Sequence, residues 1–434
     1  MLYDRWRRIA RAHPDQFALL EVAEKRRWTF GELLSAAQTG AENTQTVAFP
    51  QGGSADFIID VLRAWQAGRV VCPLEPGQSR PEICRSLPSG VAHLKMTSAT
   101  TGRTRLVAFT GRQLMADAEN IVQTMGLRAD WPNLGVISLA HSYGFSNLVL
   151  PLLLHGIPLI LVGSALPESL RHAADAQGGF SLAAVPALWQ TWHVAEAIPS
   201  SIRLAISAGA ALSVKLEQAI FSKQGLKIHN FYGSSECGGI AYDGSEVPRS
   251  DGSCVGKPLQ GVSVSVGEDG CVEVRSEAVA ETYWPEPGPD VSAGVFHTSD
   301  VGEIKDGLVH LCGRAGDQIN VAGRKVLPET IEAVLANHPQ VRACLAFSVP
   351  SSDSQRGETI VACVAATSGG FGDSLKQFAL ANLPAWQVPR EWWFVEGLEA
   401  NGRGKLSRAE WRKRYLESAR GGSPLKINSP RRTT

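Results

Sequence analysis

The sequence carries no net charge: Lys plus Arg number 42 and Asp plus Glu number 42. That balance argues against a general electrostatic binder of nucleic acid, whose footprint is a basic surplus. Paired cysteines are also missing. Cys72, Cys84, Cys237, Cys254, Cys271, Cys312, Cys344 and Cys363 are scattered without a C-x-x-C spacing. Neither a zinc site nor a disulfide framework is therefore indicated. Free thiols in a reducing cytoplasm are the plain expectation. No long apolar run is present. The most apolar stretch, 148–162, is broken by Pro151, His155, Gly156 and Pro158, which argues against a membrane span. Asp4, Arg5, Arg7 and Arg8 open the chain without a following apolar segment, so no signal peptide is expected. There is no internal repeat, and no G-x-x-x-x-G-K-[ST] phosphate loop.

What is present is an ordinary globular composition, 44% hydrophobic and 19% charged over 434 residues, enough for two or three domains. Thr29 with Glu32, and Thr110 with Gln113, have the spacing of capping boxes that start helices. Phe57, Ile58, Val61, Leu62 and Trp65 form one helical face behind Ser54, and Leu114, Ala118, Ile121, Val122 and Met125 form another, ending at Gly126. Strand-like runs at 70–74, 106–109, 135–140, 157–162, 181–185, 204–207 and 227–231 alternate with helical stretches. That alternation predicts an α/β core with largely parallel sheets. From about residue 255 the pattern changes. Val262, Val264 and Val266 alternate with polar residues, Glu268-Asp269-Gly270 turns, and Val272 and Val274 alternate again, which predicts a hairpin. A second hairpin is expected around Asp306-Gly307. A small α+β unit follows, with Pro328 opening a helix, strands at 341–349, 359–366 and 391–395, and a helix near 374–382. The tail from 417 is rich in Gly, Ser, Pro, Lys and Arg and is expected to be disordered.

Against this background one loop is unusual. Thr97, Ser98, Ala99, Thr100, Thr101 and Gly102 crowd hydroxyls around a glycine just after a strand-like run, with Arg105 behind them. Hydroxyls and backbone N–H groups can wrap a phosphate chain, Gly permits positive φ, and Arg supplies charge. Further segments place polar or small residues where secondary structure does not demand them. They are His141-Ser142-Tyr143-Gly144-Phe145; Ser207-Ala208-Gly209-Ala210; Asn230-Phe231-Tyr232-Gly233-Ser234-Ser235-Glu236; Thr298-Ser299-Asp300; Gly313-Arg314-Ala315-Gly316-Asp317 leading to Gly323; and Asn401-Gly402-Arg403-Gly404-Lys405-Leu406.

In this order and spacing, from about residue 6 to 408, the segments resemble the adenylate-forming superfamily of acyl-CoA synthetases, luciferases and peptide-synthetase adenylation domains. The resemblance implies a large N-terminal α/β domain (1–315), with parallel-rich sheets and a β subdomain at about 255–312. A small α+β C-terminal domain (316–416) would rotate between two poses about Gly316. It implies ATP, Mg²⁺ and CoA. Thr97, Ser98, Ala99, Thr100, Thr101, Gly102 and Arg105 would hold the β- and γ-phosphates. Tyr232 would stack on adenine, with Asn230, Phe231, Gly233, Ala208, Gly209 and Ala210 around it. Ser235 would meet the α-phosphate, and Glu236 with Thr100 would hold the metal. Asp300 and Arg314 would face the ribose. Lys405 would bridge acid carboxylate and phosphate, and Gly323 would lie by the pantetheine channel. His141, Tyr143, Phe145, Ile206 and Gly238 would line the acid pocket.

The chemistry matches these residue types. Acid and triphosphate bring negative charge together, so a cation, Mg²⁺ and donors must offset it. The sequence departs from the family pattern at Ala99 (usually Gly), Arg105 (usually Lys, which is not equivalent), Asn320 (commonly Lys) and Gly316. No acidic residue occurs in 139–150, where amino-acid-activating members place an Asp. A fatty or aryl acid is expected instead, transferred to CoA by an AMP-forming acid–thiol ligase in the cytoplasm. An acyl carrier protein is the alternative acceptor, with Arg408, Arg412, Lys413 and Arg414 as candidate docking cations. A non-catalytic nucleotide binder is the third reading, against which Glu236, Asp300 and Lys405 argue.

Overall fold

A computed structural model describes residues 1–39, 45–83, 85–97, 105–175, 178–351, 358–366, 372–398 and 406–420. The chain divides into two compact units. One comprises Met1–Gly267, Val272–Thr298 and Ile304–His310; the other comprises Glu268–Cys271, Ser299–Glu303 and Leu311–Thr434.

The first unit is built on a parallel sheet. Strands Phe17–Glu21, Leu159–Leu161, Asn133–Gly135, Phe180–Ala184, Ile202–Ser207 and Ile228–Ser234 lie side by side in that order, all parallel, with Arg26–Thr29 antiparallel at one edge. Every residue of Phe180–Ala184 is buried, as expected of a parallel strand covered on both faces. Trp189 and Trp192 of helix Pro186–Val194 form one cover, edge to face at 5.3 Å. Each indole N–H donates to a backbone carbonyl, of Ile206 (3.3 Å) and Ala165 (2.8 Å), so the two rings bury their area without stranding a donor. Beyond Ile228–Ser234 the sheet turns antiparallel through Gly238–Tyr242 and Cys254–Pro258.

A second sheet of the same unit runs Thr282–Trp284, Leu106–Thr110, Val91–Met96, Val70–Val71, Val47–Ala48. Helix Gly111–Met125 starts from it at Thr110. The expected capping box is present: Thr110 N–H donates to Gln113 Oε1 at 2.7 Å, and Gly126 closes the helix with φ +63°. The box at Thr29 and Glu32 is likewise formed. The hairpin pairs Val262–Val266 with Cys271–Ser276. Three expected strands differ: the runs at 70–74 and 157–162 shrink to Val70–Val71 and Leu159–Leu161, and the run at 135–140 meets the sheet only at Gly135, the end of strand Asn133–Gly135. The chain there must turn toward the segment that begins at His141.

The second unit contains the two-residue hairpin Ile319–Val321 and Arg324–Val326, helix Pro328–Leu335, and a sheet of Val341–Pro350, Glu358–Ala366 and Glu391–Val395. The middle strand is apolar on both faces. Ile360, Ala362 and Val364 pack toward helices Pro328–Leu335 and Gly372–Asn382, while Val361 and Cys363 pack against Trp411 and Tyr415 of helix Arg408–Arg420. That last helix extends through 420, so the expected tail begins at least four residues later than 417, and 421–434 lie outside the described residues. Among the described residues no helix is long and apolar enough to cross a membrane.

Candidate active site

The hydroxyl-rich loop is held at its neck. Strands Val91–Met96 and Leu106–Thr110 pair antiparallel up to Met96 and Leu106. One step further, the Thr97 N–H and hydroxyl both donate to the Arg105 carbonyl, at 3.0 and 3.1 Å. Ser98, Ala99, Thr100, Thr101 and Gly102 lie outside the described residues, as does Lys405.

At this neck the structure adds a residue that the sequence motifs did not single out. Tyr283, on strand Thr282–Trp284, pairs with Val107 and so stands beside the loop's exit. The Arg105 guanidinium sits 4.5 Å from the centre of its ring. Its hydroxyl donates to Glu236 Oε1 at 3.2 Å. Burial, and then the nearby Glu236 carboxylate, push the phenol well above its ordinary pKa, so it remains a donor. One tyrosine therefore holds a cation with its face and a carboxylate with its edge. No motif or expected element covered it, and only the strand pairing gives it a place.

Ser235, Glu236 and Cys237 form the tip of the hairpin between strands Ile228–Ser234 and Gly238–Tyr242. The Ser234 hydroxyl accepts from the Glu236 and Cys237 N–H groups at 3.2 and 3.3 Å, and the Glu236 carbonyl accepts from Ala280 N–H at 2.8 Å. The carboxylate is thus carried on a doubly fastened turn. Ser235 reaches across to Ser142, with their hydroxyl oxygens 3.1 Å apart.

Ser142 begins a short helix whose N-cap is His141: the His141 Nδ1 accepts from Tyr143 N–H at 3.3 Å. The helix widens into a π turn at Phe145–Val149 before Leu150–His155. Such bulges re-aim side chains and recur at functional sites. Gly144 is required by close approach, since a Cβ there would lie 1.9 Å from the Ser138 carbonyl oxygen. The Tyr143 ring lies 6.1 Å from that of Phe231, and its buried hydroxyl has no hydrogen-bond partner among the described residues. Phe145, Ile206 and Gly238 are buried, and the Phe145 ring packs on that of His93, centre to centre 4.3 Å.

Ser207 ends its strand in register with Asn230, so Ala208, Gly209 and Ala210 continue from a carboxyl end of the parallel sheet, where open α/β sheets bind ligands. Asn230 is buried, and its carbonyl accepts from Asp243 N–H at 2.9 Å. Tyr232 and Gly233 follow on the same strand, with Tyr232 half-buried. In the first unit, then, the structure brings together Thr97, Arg105, Glu236, Ser235 and the His141 segment, and sets Asn230 beside Ser207.

In the second unit Arg314 Nε donates to Asp300 Oδ1 at 3.0 Å. Gly316 lies in a 3-10 turn, Ala315–Asp317, and a Cβ there meets nothing within 4 Å. Gly323 has φ +81°, and its N–H donates to Asn320 Oδ1 at 2.9 Å. Arg408 does not belong to an exposed basic surface. Its guanidinium pairs with Asp317 (2.9 Å), Glu329 (2.8 Å) and Glu332 (2.9 Å). Arg412 and Lys413 are exposed, and Arg414 pairs with Glu410. The sequence did not reveal that Arg408 is claimed by acids near 317–332, because nothing local links the two segments.

Comparison with known proteins gives a consistent picture. Residues 87–284 match the family described as AMP-binding enzyme, and residues 330–405 match the AMP-binding enzyme C-terminal domain. A feruloyl-CoA synthase of Amycolatopsis sp is 28% identical over 384 residues, covering 82% of this chain and 77% of that protein. A probable 2-succinylbenzoate–CoA ligase of Mycobacterium tuberculosis is 29% identical over 354 residues, covering 78% and 88%. The crystal structure of ATP-bound MatB from Rhodopseudomonas palustris superposes with a TM-score of 0.81 at 21% identity, covering 96% of this chain and 99% of that one.

Proposed function

The chain belongs to the adenylate-forming, AMP-binding enzymes, and from that premise we propose that it activates an aryl acid with ATP and passes the acyl group to the thiol of CoA. The acid's carboxylate oxygen attacks the α-phosphorus, the bond to pyrophosphate breaks, and an acyl-adenylate forms. A thiolate then attacks the acyl carbonyl and AMP leaves.

The observation that carries this reading is the line Arg105, Tyr283, Glu236 across the neck of the hydroxyl-rich loop. A loop wrapped around a triphosphate needs a fixed cation on one side and a hard oxygen donor on the other. Tyr283 sets both. In our reading Thr97 to Gly102 and Arg105 hold the β- and γ-phosphates, and Ser235 meets the α-phosphate. Asn230, Phe231, Tyr232, Gly233, Ala208, Gly209 and Ala210 hold the adenine, and Asp300 with Arg314 meets the ribose. Lys405 offsets charge during adenylation, residues 316–416 turn about Gly316, and the thiol passes Gly323.

The donor set fits Mg²⁺. Glu236 offers a hard carboxylate oxygen at the neck of the hydroxyl-rich loop. Mg²⁺ is commonly held in this way, by one or two carboxylates plus substrate phosphates. Glu236, with Thr100, would hold the ion, which supplies charge neutralisation for the leaving pyrophosphate.

The aryl preference rests on relatives named for feruloyl and 2-succinylbenzoyl acids, on the Tyr143 ring beside Phe231, and on the lack of an acid in 139–150 to pair with an ammonium group. The test is pyrophosphate release with Mg-ATP and a panel of aryl, fatty and amino acids, with and without CoA. Sustained release on an aryl acid that depends on CoA is the expected result. A single burst that CoA does not relieve would move the acceptor to an acyl carrier protein, and release on fatty acids alone would remove the aryl assignment.

A further inference from the structure

Beneath the hairpin tip that carries Ser235 and Glu236 lies a buried group of polar side chains which none of the motifs explains. Lys95 is 4% exposed, Asp117 2% and Ser146 3%. The Lys95 ammonium donates to Ser146 Oγ at 3.3 Å, and Ser146 Oγ donates to Asp117 Oδ2 at 2.6 Å. Lys95 Nζ is itself 3.8 Å from Asp117 Oδ2 and lies 4.6 Å from the centre of the Phe109 ring. The other oxygen of the same carboxylate, Oδ1, accepts the Gly239 N–H at 3.2 Å.

The placement of these groups is informative. Lys95 stands two residues ahead of Thr97, where the hydroxyl-rich loop begins. Ser146 lies in the π turn that follows His141 and Tyr143. Gly239 lies just past Glu236 and Cys237. Asp117, on helix Gly111–Met125, is the point at which these three segments meet. The approach is so close that a Cβ on Gly238, whose φ is +70°, would fall 1.9 Å from Asp117 Oδ1.

Burying a lysine and an aspartate costs more than an apolar packing of the same volume, so a pair of this kind is poorly explained by stability alone. Burial pulls the Lys95 ammonium below its ordinary pKa, and the Asp117 carboxylate opposes that pull. What the pair supplies is geometric: a carboxylate with directional acceptors, locked by a cation and a hydroxyl, at the root of the 235–239 turn.

We propose that Lys95 and Asp117 are a buried positioning pair which, through Ser146 and the Gly239 amide, fixes the turn bearing Ser235 and Glu236 relative to the phosphate loop. This inference rests on the adenylation reading for its effect on activity, and on geometry alone for its effect on the turn. A group behind a metal-holding carboxylate acts on the metal-dependent half-reaction. It leaves untouched the thiolysis of an acyl-adenylate already formed, which needs neither pyrophosphate nor its metal.

The test uses Asp117→Asn, Lys95→Met and the milder Ser146→Ala in the full chain. Three quantities are read: acid-dependent exchange of pyrophosphate into ATP across a Mg²⁺ series, thiolysis of supplied acyl-AMP, and hydrogen exchange of the peptide spanning 235–242. Asp117→Asn is expected to slow pyrophosphate exchange about 10–100-fold, the range seen when partners behind a metal ligand are removed. The Mg²⁺ dependence should move to higher concentration, thiolysis should hold, and the 235–242 amides should exchange faster. Lys95→Met and Ser146→Ala should shift all three readouts in the same direction and less far. If Asp117→Asn does not fold, Ser146→Ala alone carries the test, because it leaves both charges in place. Unchanged hydrogen exchange at 235–242 in the folded variants would overturn the proposal. So would equal losses in both half-reactions that follow the loss of thermal stability. Failure of the adenylation reading looks different: wild-type protein would exchange no pyrophosphate with any acid, while the hydrogen-exchange arm would still report on the pair.

Discussion

Each unit holds a charge cluster apart from the Lys95–Asp117 pair, buried in the first unit and half-buried in the second, and the two are built on opposite terms. In the first unit Glu217, with no side-chain exposure, accepts from Lys227 and from Arg249, and Lys227 also donates to Asp243 at 2.6 Å. The main chain joins in, with Arg249 N–H donating to Glu217 at 3.0 Å. Two cations face two anions. In the second unit a single guanidinium, that of Arg408, faces Asp317, Glu329 and Glu332. Burial pushes the Asp243 carboxyl up, but hydrogen bonds from Lys227 and Ser245 outweigh it and hold it below its ordinary value. Burial raises Glu329 and Glu332 as well, and there one shared Arg408 does not bring them back down. A balanced cluster behaves as a clamp. It holds the foot of strand Ile228–Ser234, whose residues Asn230 and Tyr232 we assign to the nucleotide. An unbalanced cluster leaves carboxylates whose protonation depends on pH, next to the turn we assign as the hinge.

The comparison breaks first at Glu217. Glu217→Gln removes the most buried anion of the cluster, leaving Arg249 without its carboxylate and Lys227 with Asp243 alone. We expect a loss of about 3–5 kcal/mol, the usual consequence of unpairing a buried charge, measured by denaturant unfolding. A change below about 1 kcal/mol, the scale of an exposed pair, would show that solvent already screens the cluster.

Next in size is Lys405→Ala, three residues ahead of Arg408. It should raise the adenylation barrier by about 2.7–4 kcal/mol, if Lys405 acts like other preorganised transition-state donors, and should spare thiolysis of supplied acyl-AMP. Equal damage to both half-reactions would detach Lys405 from its assigned role. Arg408→Met comes third. It leaves three acids without their cation, but they can protonate, so we expect about 1.5–3 kcal/mol at neutral pH and less in acid.

The two units also differ in how far their sequence disclosed them. The helix starts at Thr29 and Thr110, the Val262 hairpin and the helix at Pro328 were legible, because caps, alternation and proline act within a few residues. The run at 135–140 joins the sheet only at Gly135, because its pattern is apolar but for Ser138 while only the approach of Gly144 to Ser138 shows where it must turn. For the site, motif order pointed to Ser235, Glu236 and Asn230. Tyr283, Asp117 and Lys95 were not legible. Each acquires its place through a partner more than twenty residues away, and an isolated Tyr, Asp or Lys carries no local sign of burial. Arg408 failed in the opposite sense, since a basic run at a helix start looks solvated until Glu332 is placed against it.

The smallest expected effect is the most discriminating. Glu329 Oε2 is buried without a hydrogen-bond partner among the described residues, while Oε1 shares Arg408 with two other acids. Burial raises its pKa above 4.5, so between that value and the folded-state pKa the native protein holds a proton that the unfolded chain has lost. Stability therefore falls as pH rises through this window, and above it the penalty is complete. Glu329→Gln removes the penalty and keeps the shape. At neutral pH the variant should be more stable by roughly 1 kcal/mol, and the advantage should shrink toward nothing as pH falls to the ordinary glutamate value. For Asp243 the sign reverses: its pKa is depressed, so its contribution is present above 3.8 and is lost as pH falls through its folded value. Unfolding curves of wild type and Glu329→Gln across this pH range separate the two clusters. A variant that is less stable at neutral pH would mean that the second cluster needs all three carboxylates charged, and the contrast between the two units would disappear.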